Sequence, residues 1–286
     1  MKRGKIILLS LVLLAVTCLC ACQQDAKARA AGYVKNYVRS LREAKNLEYM
    51  SENYRRYSIG NPEVKQYRSE TIRRQGKIEF EQKVFEELYC TGSSQLVNPQ
   101  DIKKSLAQYG STDFLLGTSK VYSSGANLIY RADIDTKKNW VWKAAKDIKA
   151  PEVGRSEAFL QVYEKYADQF QIREDEHYIY LHFQGDVKDN AEQIAALRDS
   201  FLESKLFGEG KKNVQSLELD IRLILKKDGG FIKKKLTPSE ARIHIKTGLE
   251  SEKDHGVVSN EDHFEASYRD INQIEKIQEP KGLPEK

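Results

Sequence analysis

Leu217, Leu219, Ile221, Leu223 and Leu225 alternate with Glu218, Asp220 and Arg222, and this run restricts the fold more than any other stretch of the chain. Successive side chains of a strand point to opposite faces, so the run has one apolar face and one wet face. Lys227-Asp228-Gly229-Gly230 then turns the chain, and Ala241, Ile243 and Ile245 alternate with Arg242, His244 and Lys246. A polar loop is expected over 248–262, followed by a closing strand at Phe264, Ala266 and Tyr268. The three strands make an antiparallel meander with one shared apolar wall. Fully burying a Leu or Ile side chain stabilises by roughly 1.5–3 kcal/mol, so that wall must be covered.

Three amphipathic segments are available to cover it. Residues 26–46 carry Ala30, Tyr33, Val34, Tyr37, Val38 and Leu41 at helical spacing, and 155–169 carry Phe159, Val162, Tyr163 and Tyr166. A third helix is predicted over 190–207, with Ile194, Leu197, Phe201 and Leu202, stopping at Gly208. Strands are read at 78–90, at 177–183, and as a pair within 119–144 around Asp135-Thr136-Lys137-Lys138. A short helix is expected at 100–109 after Pro99. Residues 47–59 fit either a continued helix or an edge strand. The fold class is therefore α+β, one antiparallel sheet packed on helices.

The N-terminus constrains location rather than fold. Lys2, Arg3 and Lys5 precede an apolar run from Ile6 to Ala21, and Leu19-Cys20-Ala21-Cys22 closes it as a lipobox. The run is too short to span a bilayer comfortably, which takes about 20 residues. The expected organisation is a signal peptide over 1–21, a single domain over 22–280 and a disordered tail over 281–286. Cys22 is the predicted lipidation site, and its acyl chains would hold the domain on the outer side of the cell membrane. The helix follows Cys22 almost directly, so the tether is short.

With the leader removed, most of the formal charge of +5 goes with it, and a nucleic-acid partner is not implied. After processing only Cys90 retains a thiol, so an internal disulfide is excluded, and its strand-like surroundings predict a buried, inert group. The sequence has no Gly-x-Ser-x-Gly elbow, His-Glu-x-x-His pair, Walker loop or dinucleotide fingerprint. Gly208-Glu209-Gly210-Lys211-Lys212 follows a helix rather than opening one, which suits a cap better than a phosphate loop. His182 and His244 are placed on the solvent side of neighbouring strands as ordinary surface histidines. No catalytic residue, cofactor or metal site is predicted, and the chain is read as a non-enzyme.

The lipobox, the first helix, the amphipathic strands, the helices around His177–Phe183 and the closing meander ending in YRDINQIEKIQEP resemble the Gram-positive surface lipoproteins of the LolA-like superfamily, which includes LprG- and LppX-type proteins. The resemblance implies a curved antiparallel sheet, a half-barrel, wrapped on helices. It also implies binding or carriage of a hydrophobic or amphiphilic envelope molecule, a lipid or a lipoprotein acyl chain. Any cavity between sheet and helices would be lined by Leu217, Leu219, Ile221, Leu223, Ile243, Ile245 and Phe264, because these share a face. A filled core satisfies the same pattern. In that alternative the domain presents a surface to an envelope protein or wall polymer, through Lys233, Lys234 and Lys235 or through tyrosine–arginine clusters such as Tyr54-Arg55-Arg56-Tyr57 and Tyr67-Arg68.

Overall fold

The structure is a computed structural model that describes residues 24–60, 65–96, 117–125, 128–134, 139–146, 148–151, 153–201, 214–229, 235–250 and 257–284. The lipobox with Cys22, the expected helix 100–109, the 208–212 segment, Lys233 and Lys234 lie outside these residues. Among the described residues the fold is one curved, unclosed antiparallel sheet of eleven strands with three α-helices, consistent with a half-barrel.

Helix α1 covers 24–42, shorter than the expected 26–46 at its C-terminal end. Six strands follow: β1 (Asn46–Gly60), β2 (Lys65–Glu79), β3 (Val84–Leu96), β4 (Gly117–Ser124), β5 (Ile129–Ile134) and β6 (Trp140–Ala145). Helix α2 (Glu157–Lys165), strands β7 (Gln171–Glu174) and β8 (Tyr178–Asp186) and helix α3 (Ala191–Phe201) come next. Strands β9 (Val214–Asp228), β10 (Lys235–Glu250) and β11 (Val257–Arg269) close the order. The sheet runs β6-β5-β4-β3-β2-β1-β11-β10-β9-β8-β7. It is two meanders joined by one long-range pairing, β1 against β11, which leaves β6 and β7 as the edges.

Four expectations are corrected here. Residues 47–59 are neither helix nor edge strand but part of β1, in the middle of the sheet. The strand read at 78–90 is two strands, the end of β2 and the start of β3, with a turn at 80–83 between them. Residues 119–144 hold three strands rather than two. The polar loop expected at 248–262 is overrun at both ends, since Gly248 to Glu250 belong to β10 and Val257 to Asp262 to β11.

One face of the sheet, the inner one, carries the helices. Ala30, Val34, Tyr37 and Leu41 of α1 are fully buried, as are Phe159, Val162 and Tyr163 of α2 and Leu197 of α3. These helical stripes meet the alternating inner residues of β8 to β11 in one continuous core. Helix α2 is seated by aromatic contacts: the Phe159 and Phe264 rings lie 4.5 Å apart, and Tyr163 meets Tyr37 edge-on at 5.9 Å. Arg42 of α1 reaches Glu157 and Glu164 of α2, but these pairs are largely exposed and align the helices more than they stabilise them.

The outer face has its own small cluster. Tyr122, Tyr130 and Ile277 are buried together with Val84, Trp142, Ile274 and Leu283 packed around them, so the segment after β11 lies along the outside of the first meander. Backbone amides of Ile274 and Ile277 donate to Asn46 Oδ1 (3.3 Å) and Glu79 Oε1 (3.1 Å). Leu283, in the expected tail, takes part in this packing.

Gly76 marks a close approach of β2 to β3. A methyl group on it would stand 2.0 Å from the Glu86 carbonyl oxygen and 2.7 Å from the Glu87 Cα. The obstacle is backbone and cannot rotate away. We expect Gly76→Ala to destabilise the protein by about 3 kcal/mol, seen as a lower urea midpoint with an unchanged slope.

Candidate functional site

The seven residues predicted to line an apolar wall do share a face. Leu217, Leu219, Ile221, Leu223, Ile243, Ile245 and Phe264 are all 0–3% exposed and sit in the core beneath the helices. Cross-strand register places Ile243 opposite both Ile221 and Phe264, and Ile245 opposite Leu219. On its other side Ile245 faces Asp262 rather than another apolar residue.

There the inner face changes character. Ser51, Asn53 and Arg55 of β1, Asn260 and Asp262 of β11 and Thr247 of β10 are all buried. Register explains the grouping: Arg55 is opposite Asp262, Asn53 opposite Phe264, and Asn260 opposite Thr247. Strand spacing of about 4.8 Å and same-face steps of about 7 Å make this a polar patch of roughly 10 by 14 Å, bordering the apolar wall. The Asp262 side chain is 0% exposed; it accepts from Arg55 Nε at 2.5 Å and from Asn260 Nδ2 at 3.1 Å, and Arg198 of α3 approaches it at 4.0 Å.

Much of the patch is left unmatched. Ser51 Oγ, Asn53 Oδ1, Arg55 Nη2, Thr247 Oγ1 and Asn260 Oδ1 are buried with no hydrogen-bond partner among the described residues. Each such group costs about 1–3 kcal/mol when dry, and five of them would rival the 5–15 kcal/mol that holds a whole domain folded. Ordered water or a polar group of a ligand is the kind of partner such atoms take. The set mixes a cationic donor, two amide acceptors and two hydroxyls, which suits an anionic or hydroxylated group.

A second buried cluster lies nearer β3. Arg74 Nη1 donates to Glu87 Oε1 at 3.0 Å and to the Lys149 carbonyl at 3.1 Å, Tyr49 donates to the other Glu87 oxygen, and Arg74 lies over the Tyr89 ring. Burial pushes the Glu87 carboxyl up, with Arg74 opposing that rise. Arg74 and Glu87 neutralise each other here, and the cluster reads as structural.

On the outer face, His244 and His263 face each other across β10 and β11 with their rings stacked 3.8 Å apart. Burial pushes His263 down to about 4 and lowers His244 too, so both imidazoles are neutral near pH 7. His182 does not join them: β9 lies between, and His182 instead contacts Asp220 at 3.2 Å. Cys90 is half-buried rather than buried, with its sulfur 3.5 Å from the Thr118 hydroxyl.

Of the expected basic and aromatic surfaces, the side chains of Lys235, Tyr54, Arg55 and Arg56 are among those described, while those of Tyr57, Tyr67 and Arg68 lie outside. Lys226 pairs with Asp228 at 2.8 Å and Lys227 with Glu174 at 3.2 Å, while Lys235 is exposed. Of the tyrosine–arginine cluster, Arg56 is exposed, but Arg55 turns inward to Asp262. Sequence reading missed the polar patch because its residues look like loop or surface residues. The signal that could have found it is the i, i+2 spacing of Ser51, Asn53 and Arg55.

Neither a protein-family model nor a curated protein matches the chain. A solved structure of lipovitellin, described as lipid–protein interactions in lipovitellin, overlaps 84% of this chain and 26% of its own, at 8% identity and a TM-score of 0.36. The chain thus spans about a quarter of that protein, a likeness too coarse to enter the argument about function. No helix among the described residues is long and apolar enough to cross a membrane.

Proposed function

We propose that the chain is a LolA-like lipoprotein, anchored through Cys22 on the outer side of the cell membrane, that binds an amphiphilic envelope molecule between the inner face of its sheet and its helices. It binds or carries and does not turn its ligand over. The observation that supports this reading is the unmatched polar patch beside the apolar wall. Five buried polar groups beside an apolar surface offer an amphiphile a place for its polar end and a neighbouring surface for its apolar end. The headgroup would take hydrogen bonds from Arg55 Nη2 and give or share them at Asn53, Asn260, Ser51 and Thr247. Its chain would lie toward Ile245, Leu219 and Leu217, whose packing against the helices must then loosen to admit it.

Native mass spectrometry of the full-length protein extracted from its own membrane tests this. The expected spectrum contains a bound lipid mass, reduced in the Ser51→Ala/Thr247→Val double variant, which removes two hydroxyls without leaving a buried charge. A spectrum showing only lipid-free protein, together with a protein partner trapped by crosslinking in cells, would rule the reading out in favour of an envelope interaction protein. Cys22→Ala should release the chain from membranes.

A further inference from the structure

We infer that His244, His263 and Glu261 form a site for a divalent transition-metal ion, of the zinc, copper or nickel class, on the outer face of the sheet, independent of the inner patch. The three side chains place one possible ligand atom each, all within 4.8 Å of one another. The arrangement follows from register. His244 of β10 is directly opposite His263 of β11, and Glu261 precedes His263 by one same-face step, opposite Lys246 on one side and Arg56 on the other. Neighbouring strands hold three ligands at the corners of a small triangle without help from a flexible loop.

The donor set selects the ion. Two imidazoles and one carboxylate suit zinc, copper or nickel, while calcium and magnesium call for an oxygen cage. Three protein ligands leave a coordination position for water or a substrate atom, the pattern of an open rather than a closed zinc site. His244 Nε2 is buried and has no hydrogen-bond partner among the described residues, so at least one donor is already desolvated and unclaimed. Two features work against the ion. Arg56 Nη2 holds Glu261 Oε2 at 2.8 Å, and Lys246 lies across the strand. A carboxylate has a second oxygen, and Asp220, opposite His244 on β9, adds negative charge to the same face. The stacked rings must splay, because zinc–nitrogen bonds of about 2.0–2.1 Å draw the two nitrogens closer and aim both rings at one point. A swing of the side chains accomplishes this, with the backbone unchanged.

The test is titration of the untagged mature chain, processed and lipidated at Cys22, in detergent with cobalt(II) and zinc(II) chloride, read by ligand-field absorption and by calorimetry. One equivalent of zinc is expected to bind, with visible cobalt bands. His263→Phe and His244→Phe, which keep an aromatic ring in the stack and preserve the fold, should each weaken binding by at least about 100-fold, since loss of even a supporting outer-shell contact can reach that size. Glu261→Gln should alter the cobalt spectrum. Cys90→Ser should leave everything unchanged. Absence of cobalt bands, or zinc binding that survives both histidine variants or disappears with Cys90, would overturn the site.

Discussion

Replacing Asp262 by alanine is expected to lower stability by about 3–5 kcal/mol, because it strands the Arg55 guanidinium, whose side chain is only 9% exposed, without its counter-charge. The alternative of exchanging both partners, Arg55→Met with Asp262→Leu, should restore most of the loss, since well-packed apolar residues replace a buried ion pair at little or no expense in stability. Urea denaturation of the two variants separates these outcomes. A loss below about 1 kcal/mol in Asp262→Ala would mean that water already reaches the patch and screens the charge. The double variant has a second use: if the inner patch receives a headgroup, the restored protein folds normally yet retains less lipid.

The second large effect belongs to Phe159→Ala. The ring is fully buried, lies 4.5 Å from Phe264 of β11 and 6.3 Å from Tyr163 of its own helix, and anchors α2 on the sheet through Phe264. Removing it deletes a large apolar surface and leaves a void that rigid strands cannot collapse into, so a loss of about 3–5 kcal/mol is expected. For a domain of this size that corresponds to a melting temperature lower by roughly 10 °C, measurable by circular dichroism. Phe159→Leu should recover much of it. If the two variants melt alike, α2 is a loose cover rather than a packed layer.

The two variants sample the two halves of what could be read in advance. Phe159 was legible as core because it recurs at helical spacing with Val162, Tyr163 and Tyr166, and the structure buries all four. Leu217 to Leu225 were legible for the same kind of reason, at the period of a strand. Asp262 reads as part of a polar loop and Arg55 as part of an aromatic surface, because periodicity scores a residue by its polarity and both are charged. The strands β1, β2 and the first half of β11 place Ser51, Asn53, Arg55, Arg74, Asn260 and Asp262 on the buried face, which erases the apolar alternation that would have revealed them. The histidine pair was hidden differently. His244 reads as a solvent-side strand residue, but its partner His263 falls between the polar segment that ends at 262 and the apolar alternation that starts at Phe264, so His182 is the only neighbour in view.

From residue order alone came the amphipathic helices, the C-terminal apolar wall and the expectation of a lipidated N-terminus, all of which depend on neighbours within a few positions along the chain. The tertiary structure alone decided that β1 closes on β11, which brings Arg55 to Asp262 across 207 residues. The physical reason is that local spacing encodes which face of an element is apolar, whereas a buried polar site is defined by which strands pair and in what register. A single residue's polarity carries no trace of a partner supplied from the other end of the chain.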